Sequence, residues 1–180
     1  MVQEFKDFAM KPIFNAFLNT IKRATFQLSF SFSFTIASVI GFSLFTTPVA
    51  GYTQDGPQLN LPRVSLQAGM HRIEAQVAQS GLEKQIGLMF RKSMPAHEGM
   101  LFIFPEATKQ CFWMKNSELP LTAAFIADDG TIVNLEDMKP QTLDSHCSKK
   151  PVRYVLEMKQ GWFAQKNIKK SFVLKSSVFK

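Results

Sequence analysis

Apolar and polar residues alternate along several short stretches in the second part of the chain. In the clearest stretch, Ile73, Ala75 and Val77 alternate with polar residues. A repeat of two residues places successive side chains on opposite faces of an extended strand. The pattern therefore predicts a half-buried β-strand with one apolar face.

Further strands are predicted where short apolar runs are bounded by turn residues. They cover residues 64–66, 99–105, 111–114, 121–127, 131–135, 154–158 and 171–174. The strands 121–127 and 131–135 form the clearest hairpin, because Gly130 between them can take the positive φ that a tight turn needs.

Helical signals are few and short. Ser80 and Glu83 match a capping box, in which the two side chains satisfy free amides at the start of a helix. The sequence predicts a helix from there to about Phe90, and a helical turn near residues 162–166. Many short strands with one or two brief helices predict a mainly β fold, a compact antiparallel β sandwich or barrel.

The beginning of the chain has a different pattern. No residue from Thr25 to Phe45 is charged, Lys22 and Arg23 precede this run, and small residues ending at Ala50 follow it. A basic first region, an apolar middle region and small residues at a cleavage site are typical of an export signal. The length of the run and the basic residues on one side also suit a helix that spans a bilayer.

These patterns divide the chain into three parts. Residues 1–50 are predicted to be a cleaved signal peptide or an uncleaved N-terminal membrane anchor, and the start codon is that of Met1 or Met10. The turn-rich residues 51–62 are predicted to be a linker, and residues 63–180 a single domain. We expect this domain to be periplasmic, or anchored to the cytoplasmic membrane and facing outward.

The net charge of the chain and the distribution of its basic residues indicate which classes of partner to expect. The chain carries a formal net charge of +7, and its basic residues are scattered except near the C-terminus. No aromatic or glycine-rich residues that could contact nucleic-acid bases are interleaved with them. The pattern therefore favours a solvated basic face over nucleic-acid binding. An anionic membrane surface is the alternative that charge leaves open.

Three sequence strings carry a resemblance to a known family. They are EKQIGLMFR at residues 83–91, GMLFIFP at 99–105 and CFWMKN at 111–116. With them, the chain resembles the bacterial and archaeal family called domain of unknown function 192 over about residues 64–174. The resemblance implies a mainly β fold, commonly behind a signal peptide, and no established activity.

The chain departs from the family pattern near its end. Lys170 and Ser171 stand where members usually have a Gly-Asp turn, and Asn167 stands where a glycine often closes the last helical turn. Asparagine tolerates the left-handed backbone that such a position requires, so the second exchange is mild.

Cys111 and Cys147 are the only cysteines in the chain. An even count in an exported protein makes a disulfide one interpretation, and it would contribute about 3–4 kcal/mol by closing a long loop. The other interpretation is two separate thiols, one of them a small core residue.

Nucleophilic catalysis would need a thiolate beside a base, and Cys111 with His146 is the one such pair to name. A metal site would draw on these two residues and on Cys147, with His97 or His71. The spacing is poor for a metal, because no pair of ligands comes from a single turn. We therefore predict no metal and no other cofactor.

A binding pocket has better candidates. If Phe112 faces the core, Trp113 and Lys115 lie on the opposite face, where a tryptophan is costly unless something covers it. With Arg91 and Asn116 they would form an aromatic wall with cationic and amide donors. The alternative is that these side chains are engaged in internal packing and ion pairs.

Three hypotheses about function follow. The first is a binding or accessory module of the cell envelope, which recognises a small polar or anionic ligand or an envelope protein. The second is a thiol-dependent hydrolase or other enzyme that uses Cys111 and His146. The third is a purely structural or scaffold domain.

Overall fold

The computed structural model describes residues 56–179. The predicted signal or anchor segment and the first five residues of the predicted linker lie outside the described residues. Residues 56–62 contain no helix or strand. Within 56–179, no helix is long and apolar enough to cross a membrane.

Eight strands and two short helices follow one another along the described chain. In order they are β1 (Arg63–Ala68), β2 (His71–Ala78), α1 (Gly81–Ile86), β3 (Glu98–Thr108), β4 (Cys111–Phe112), β5 (Leu121–Ile126), β6 (Ile132–Met138), β7 (His146–Cys147), β8 (Val152–Lys159) and α2 (Trp162–Gln165). Six strands form one sheet in the order β1-β2-β3-β8-β5-β6, and β4 pairs with β7 in a separate small sheet.

The prediction of an antiparallel sandwich or barrel was wrong, although the mainly β fold and the two short helices are confirmed. The large sheet is mixed, because β2 and β3 run parallel while its other pairs are antiparallel. A parallel pair needs a crossover connection, and the segment containing α1 supplies it. The sheet is also open, since β1 and β6 lie at opposite edges.

Both faces of this single sheet are buried. One face packs against α2 and the segment after it, which contribute Trp162, Phe163, Ile168 and Leu174. The other face packs against the loops after α1 and against β4. The residues that cover it include Leu88, Met94, Phe112 and Met114.

Burial on both faces explains the sequence of the central strands. All six residues of β5, Leu121–Ile126, are buried. A strand covered on both faces needs a continuous apolar run instead of an alternating one. The sheet is therefore the middle layer of three.

Several local predictions are confirmed. The Ser80 hydroxyl accepts a hydrogen bond from the Glu83 amide at 3.2 Å, and the Glu83 carboxylate accepts one from the Ser80 amide at 2.8 Å. In the hairpin between β5 and β6, Gly130 has φ 84°, and Asn167 has the left-handed φ of 56° expected of it. The helix α1 ends at Ile86, before the predicted Phe90, because the backbone turns at Gly87 with φ 52°.

One predicted strand is shorter than expected, and another is absent. Of residues 111–114 only Cys111 and Phe112 pair with another strand. Residues 171–174 form no strand, and in their place isolated bridges join Val173 to Thr131 and Lys175 to Gln67. The C-terminal segment thus crosses the ends of the sheet instead of extending it.

Phe112 provides a test of the packing against the second face. Its ring contacts those of Phe102, Phe104 and Phe125 edge to face, and 1% of the residue is exposed. We expect Phe112→Ala to lower the free energy of unfolding by about 3–5 kcal/mol, since it leaves a cavity among packed rings. Urea denaturation measures the change.

Leu143→Ala is the matched control, because Leu143 is 66% exposed. That variant should unfold within about 0.5 kcal/mol of the unmodified chain. Similar losses from the two substitutions would show that Phe112 does not lie in a packed core.

Candidate functional site

Arg91 lies in the loop after α1 and is 5% exposed. Its guanidinium donates one hydrogen bond to the Gln76 side-chain oxygen and another to the Gln58 backbone carbonyl at 2.5 Å. The side-chain amide of Gln58 in turn donates to the backbone carbonyls of Glu83 and Gly87 at 2.8 and 2.9 Å. Arg91 therefore joins the segment before β1 to the sheet, and this packing begins ahead of the predicted boundary at residue 63.

Glu157 on β8 is a second buried charged residue on this face, 2% exposed. The strand register puts Gln76 beside Met100 and Met100 beside Glu157, so the three side chains follow one row across the sheet. Burial raises the pKa of Glu157, and the positive charge of Arg91 acts in the opposite direction. Burial likewise lowers the pKa of Arg91, but a guanidinium stays protonated at physiological pH.

Trp113 and Lys115 lie together. The Lys115 ammonium is 5.7 Å from the centroid of the Trp113 ring, within range of a cation–π interaction. Lys115 is exposed and Trp113 half-buried. The indole nitrogen of Trp113 is buried and has no hydrogen-bond partner in the described part of the chain.

Asn116 connects this surface to the first family string through the main chain. Its backbone has φ 58°, and its carbonyl accepts a hydrogen bond from the Phe90 amide at 2.8 Å. Of the four predicted ligand-binding residues, Trp113 and Lys115 are thus in contact. The Arg91 side chain is engaged with Gln76 and Gln58 instead. Binding at the four residues stays a prediction.

Of the two interpretations of the cysteines, the disulfide is the one present in the structure. Cys111 on β4 lies opposite Cys147 on β7, and their sulfurs are 2.13 Å apart. The bond closes a loop with a sequence separation of 36 residues. The next pair on these strands is Phe112 with His146, whose Nε2 is buried without a hydrogen-bond partner among residues 56–179.

The disulfide bears on the chemistry predicted for this region. The register puts Cys111 and His146 at neighbouring positions of the small sheet, but their side chains lie on its opposite faces. The Cys111 sulfur is also bonded to Cys147 and carries no thiolate, so the pair required by the catalytic hypothesis is not formed. His71 and His97 do not join them in a metal site. Across the described residues, no three His, Cys, Asp or Glu side chains form a group able to hold a metal ion.

A groove of about 720 Å³ lies beside the edge strand β6. The side chains of Thr122 and Asp137 form part of its wall and are joined by a hydrogen bond of 2.5 Å. Its apolar lining includes Leu135, Phe163 and Ile168. Sequence reasoning missed this groove, because its walls come from four separate segments of the chain.

Exposed lysines surround the groove and continue beyond it. Lys149, Lys169 and Lys170 line it, while Lys149 also lines a second cavity of about 370 Å³ together with Lys109 and Lys150. All five are exposed. We call these five lysines the basic surface, and the 720 Å³ cavity the β6 groove.

The described residues define a class of protein: a small mainly β domain with an open mixed sheet, one disulfide between its two short strands, and a basic groove at one sheet edge. The family model of domain of unknown function 192, described as "Uncharacterized ACR", matches residues 64–175. The chain belongs to this family, which confirms the resemblance seen in its sequence.

Two solved structures are similar to the chain. One, from Sinorhizobium meliloti 1021 and provisionally described as a transcription regulator, has 32% identity and a TM-score of 0.63 over 68% of this chain and 99% of its own. The other, a protein of unknown function from Novosphingobium aromaticivorans DSM 12444, has 26% identity and a TM-score of 0.59 over 72% of this chain and 89% of its own. Among curated proteins no match was found.

Removal of the disulfide tests its contribution to stability. We expect the double variant Cys111→Ser, Cys147→Ser to lose about 3–4 kcal/mol of unfolding free energy, because its unfolded chain is no longer cross-linked. Urea denaturation with and without a reductant measures this loss. The reductant should lower the stability of the unmodified chain and leave the double variant unchanged. Insensitivity of the unmodified chain would contradict the bond.

The buried carboxyl of Glu157 predicts a dependence of stability on pH. Its pKa is raised above the value of 4.5 for an exposed glutamate. Between that value and the raised one, the folded chain holds a proton that the unfolded chain has released, so this group makes the unfolding free energy fall as pH rises.

The comparison of the unmodified chain with Glu157→Gln isolates this effect. Urea denaturation of both from about pH 4 to about pH 8 should show the unmodified chain losing stability relative to the variant as pH rises. A constant difference, or one of opposite slope, would show that the folded protein does not raise this pKa.

Proposed function

We propose that the chain is an exported accessory module of the cell envelope that binds an anionic small molecule or an anionic segment of a partner protein in the β6 groove. One observation carries this proposal: Lys149, Lys169 and Lys170, all exposed, line a groove of about 720 Å³. A concave site with convergent charges of one sign raises the local concentration of ions of opposite sign.

The charges of the groove favour an anion. Three lysines face one aspartate in its lining. The Asp137 carboxylate accepts a hydrogen bond from the Thr122 hydroxyl, which occupies one of its oxygens. Lys109 and Lys150 extend the positive field to one side. A ligand in the groove therefore meets a net positive field and an apolar wall.

Export is supported by the disulfide and by the N-terminal sequence. Disulfides such as Cys111–Cys147 form and persist in oxidising compartments such as the periplasm. The uncharged run of residues 25–45, preceded by basic residues, fits a signal peptide or an anchor. We place the domain in the periplasm or on the outer side of the cytoplasmic membrane.

The surface of Trp113, Lys115 and Asn116 is a second candidate for the same activity. It is favoured by the buried Trp113 indole nitrogen, which has no partner in the described chain. A donor of this kind is costly unless a ligand or water accepts its hydrogen bond. Lys115 and Asn116 beside it are exposed.

Titration calorimetry with a short polyglutamate peptide tests the main proposal. We expect measurable binding, and a loss of affinity of at least about tenfold in the double variant Lys149→Glu, Lys169→Glu, because the charges that attract the peptide are reversed. Trp113→Ala should retain the affinity if the β6 groove is the site.

Lys92→Glu is the matched control, since Lys92 is exposed and lies outside the described groove. Absence of binding, or equal losses from the double variant and this control, would contradict the proposal. The description of the Sinorhizobium protein makes duplex DNA a necessary competitor. Tighter binding of DNA than of polyglutamate would refute a protein or small-molecule partner.

A further inference from the structure

We infer that the anionic partner is an extended peptide segment that adds to the sheet as a seventh strand, by pairing with the free edge of β6. The anionic character of this partner rests on the proposed function. The pairing itself rests on the main-chain geometry of β6.

The main-chain groups of Leu135 and Asp137 face away from the sheet. Before β5, the Pro120 carbonyl accepts a hydrogen bond from the Gln160 amide at 3.0 Å, in register with the β5-β8 ladder. Thr122 and Ala124 therefore bond to β8, and the residues between them bond to β6. Leu135 and Asp137 lie opposite Ala124 and Thr122 in the register. The amides and carbonyls of Leu135 and Asp137 therefore point away from β5, toward the free side of β6. No main-chain group of residues 56–179 forms a hydrogen bond with them there.

The chain itself shows that this edge accepts an extended segment. At the start of β6, the Ile132 amide donates to the Phe172 carbonyl at 2.9 Å, and the Ile132 carbonyl accepts from the Ser171 amide at 2.8 Å. Ser171 has φ 70° and turns the backbone there. The C-terminal segment thus occupies the first part of the edge and leaves the rest open.

The open part of the edge lies within the β6 groove. Leu135 and Asp137 are both in its lining, beside the apolar side chains of Phe163 and Ile168. Side chains of an extended strand point alternately to its two sides. A peptide in which acidic and apolar residues alternate can therefore contact the apolar wall and the lysines at the same time.

Charge disfavours a second copy of this chain as the occupant. Exposed strand edges often pair with one another, but the chain carries a formal net charge of +7. Pairing of β6 with β6 of another copy would bring the two sets of Lys149, Lys169 and Lys170 together. An acidic peptide meets the same lysines with attraction instead of repulsion.

Backbone methylation of a peptide tests the pairing. The probe is a ten-residue peptide of alternating glutamate and valine, with two variants that are N-methylated on all glutamates or on all valines. A strand pairs through the amides of alternate residues, so only one of the two sets should face β6. We expect one methylated peptide to lose at least about tenfold in affinity and the other to bind like the parent.

The outcomes separate this inference from the proposed function. If the parent and both methylated peptides bind equally, an anionic site exists but strand addition is refuted. If polyglutamate binds and the alternating peptide does not, strand addition is also refuted. If no acidic peptide binds, both proposals fail. A concentration-dependent dimer in light scattering that the peptide does not dissociate would show that a second copy occupies the edge.

Discussion

The structure depends on the burial of both faces of a single sheet. The central strands β3, β8 and β5 can be covered above and below only because other segments supply apolar side chains on each side. Burial of apolar surface is the dominant favourable term in folding, and here it is divided between two layers of contacts. One layer is built from α2 and the segment after it, and the other from loops and from the short strand β4.

The burial of both sheet faces restricts where polar side chains and free main-chain groups can lie. Polar groups on the buried faces must be paired, as Arg91 is with Gln76 and with the Gln58 carbonyl. The same arrangement gives Arg91, predicted as a ligand-binding residue, a role in holding the segment before β1. Main-chain groups that are free to bind a partner remain at the sheet edges. The edge formed by β6 lies among lysines, and this combination supports an anionic, extended partner.

Local features of the fold could be predicted from the sequence because they depend on residues close together in the chain. The capping box of Ser80 and Glu83 and the hairpin at Gly130 are such features. The cysteine count and the predicted export made the disulfide one of two equal interpretations, and they did not decide between it and two free thiols. The strings around residues 83–91 and 111–116 identified the family.

The remaining features could not be predicted because they depend on contacts between distant segments. Apolar alternation does not distinguish a parallel from an antiparallel pair, so the β2–β3 pairing and the open sheet were missed. The β6 groove brings Thr122, Lys149 and Phe163 together from separate elements. No spacing in the sequence brings these residues together. From the sequence, the basic residues were interpreted as a solvated basic face, with an anionic membrane surface as the alternative.

Hydrogen exchange of individual backbone amides, followed by NMR in the unliganded protein, tests whether the sheet is buried at its centre and open along β6. We predict slow exchange on β3, β5 and β8, and an alternating pattern along β6. There, the amides of Asn134 and Glu136 should be protected by bonds to β5, while those of Leu135 and Asp137 exchange rapidly. Uniform protection along β6 would contradict the account, because it would mean that this edge is already paired.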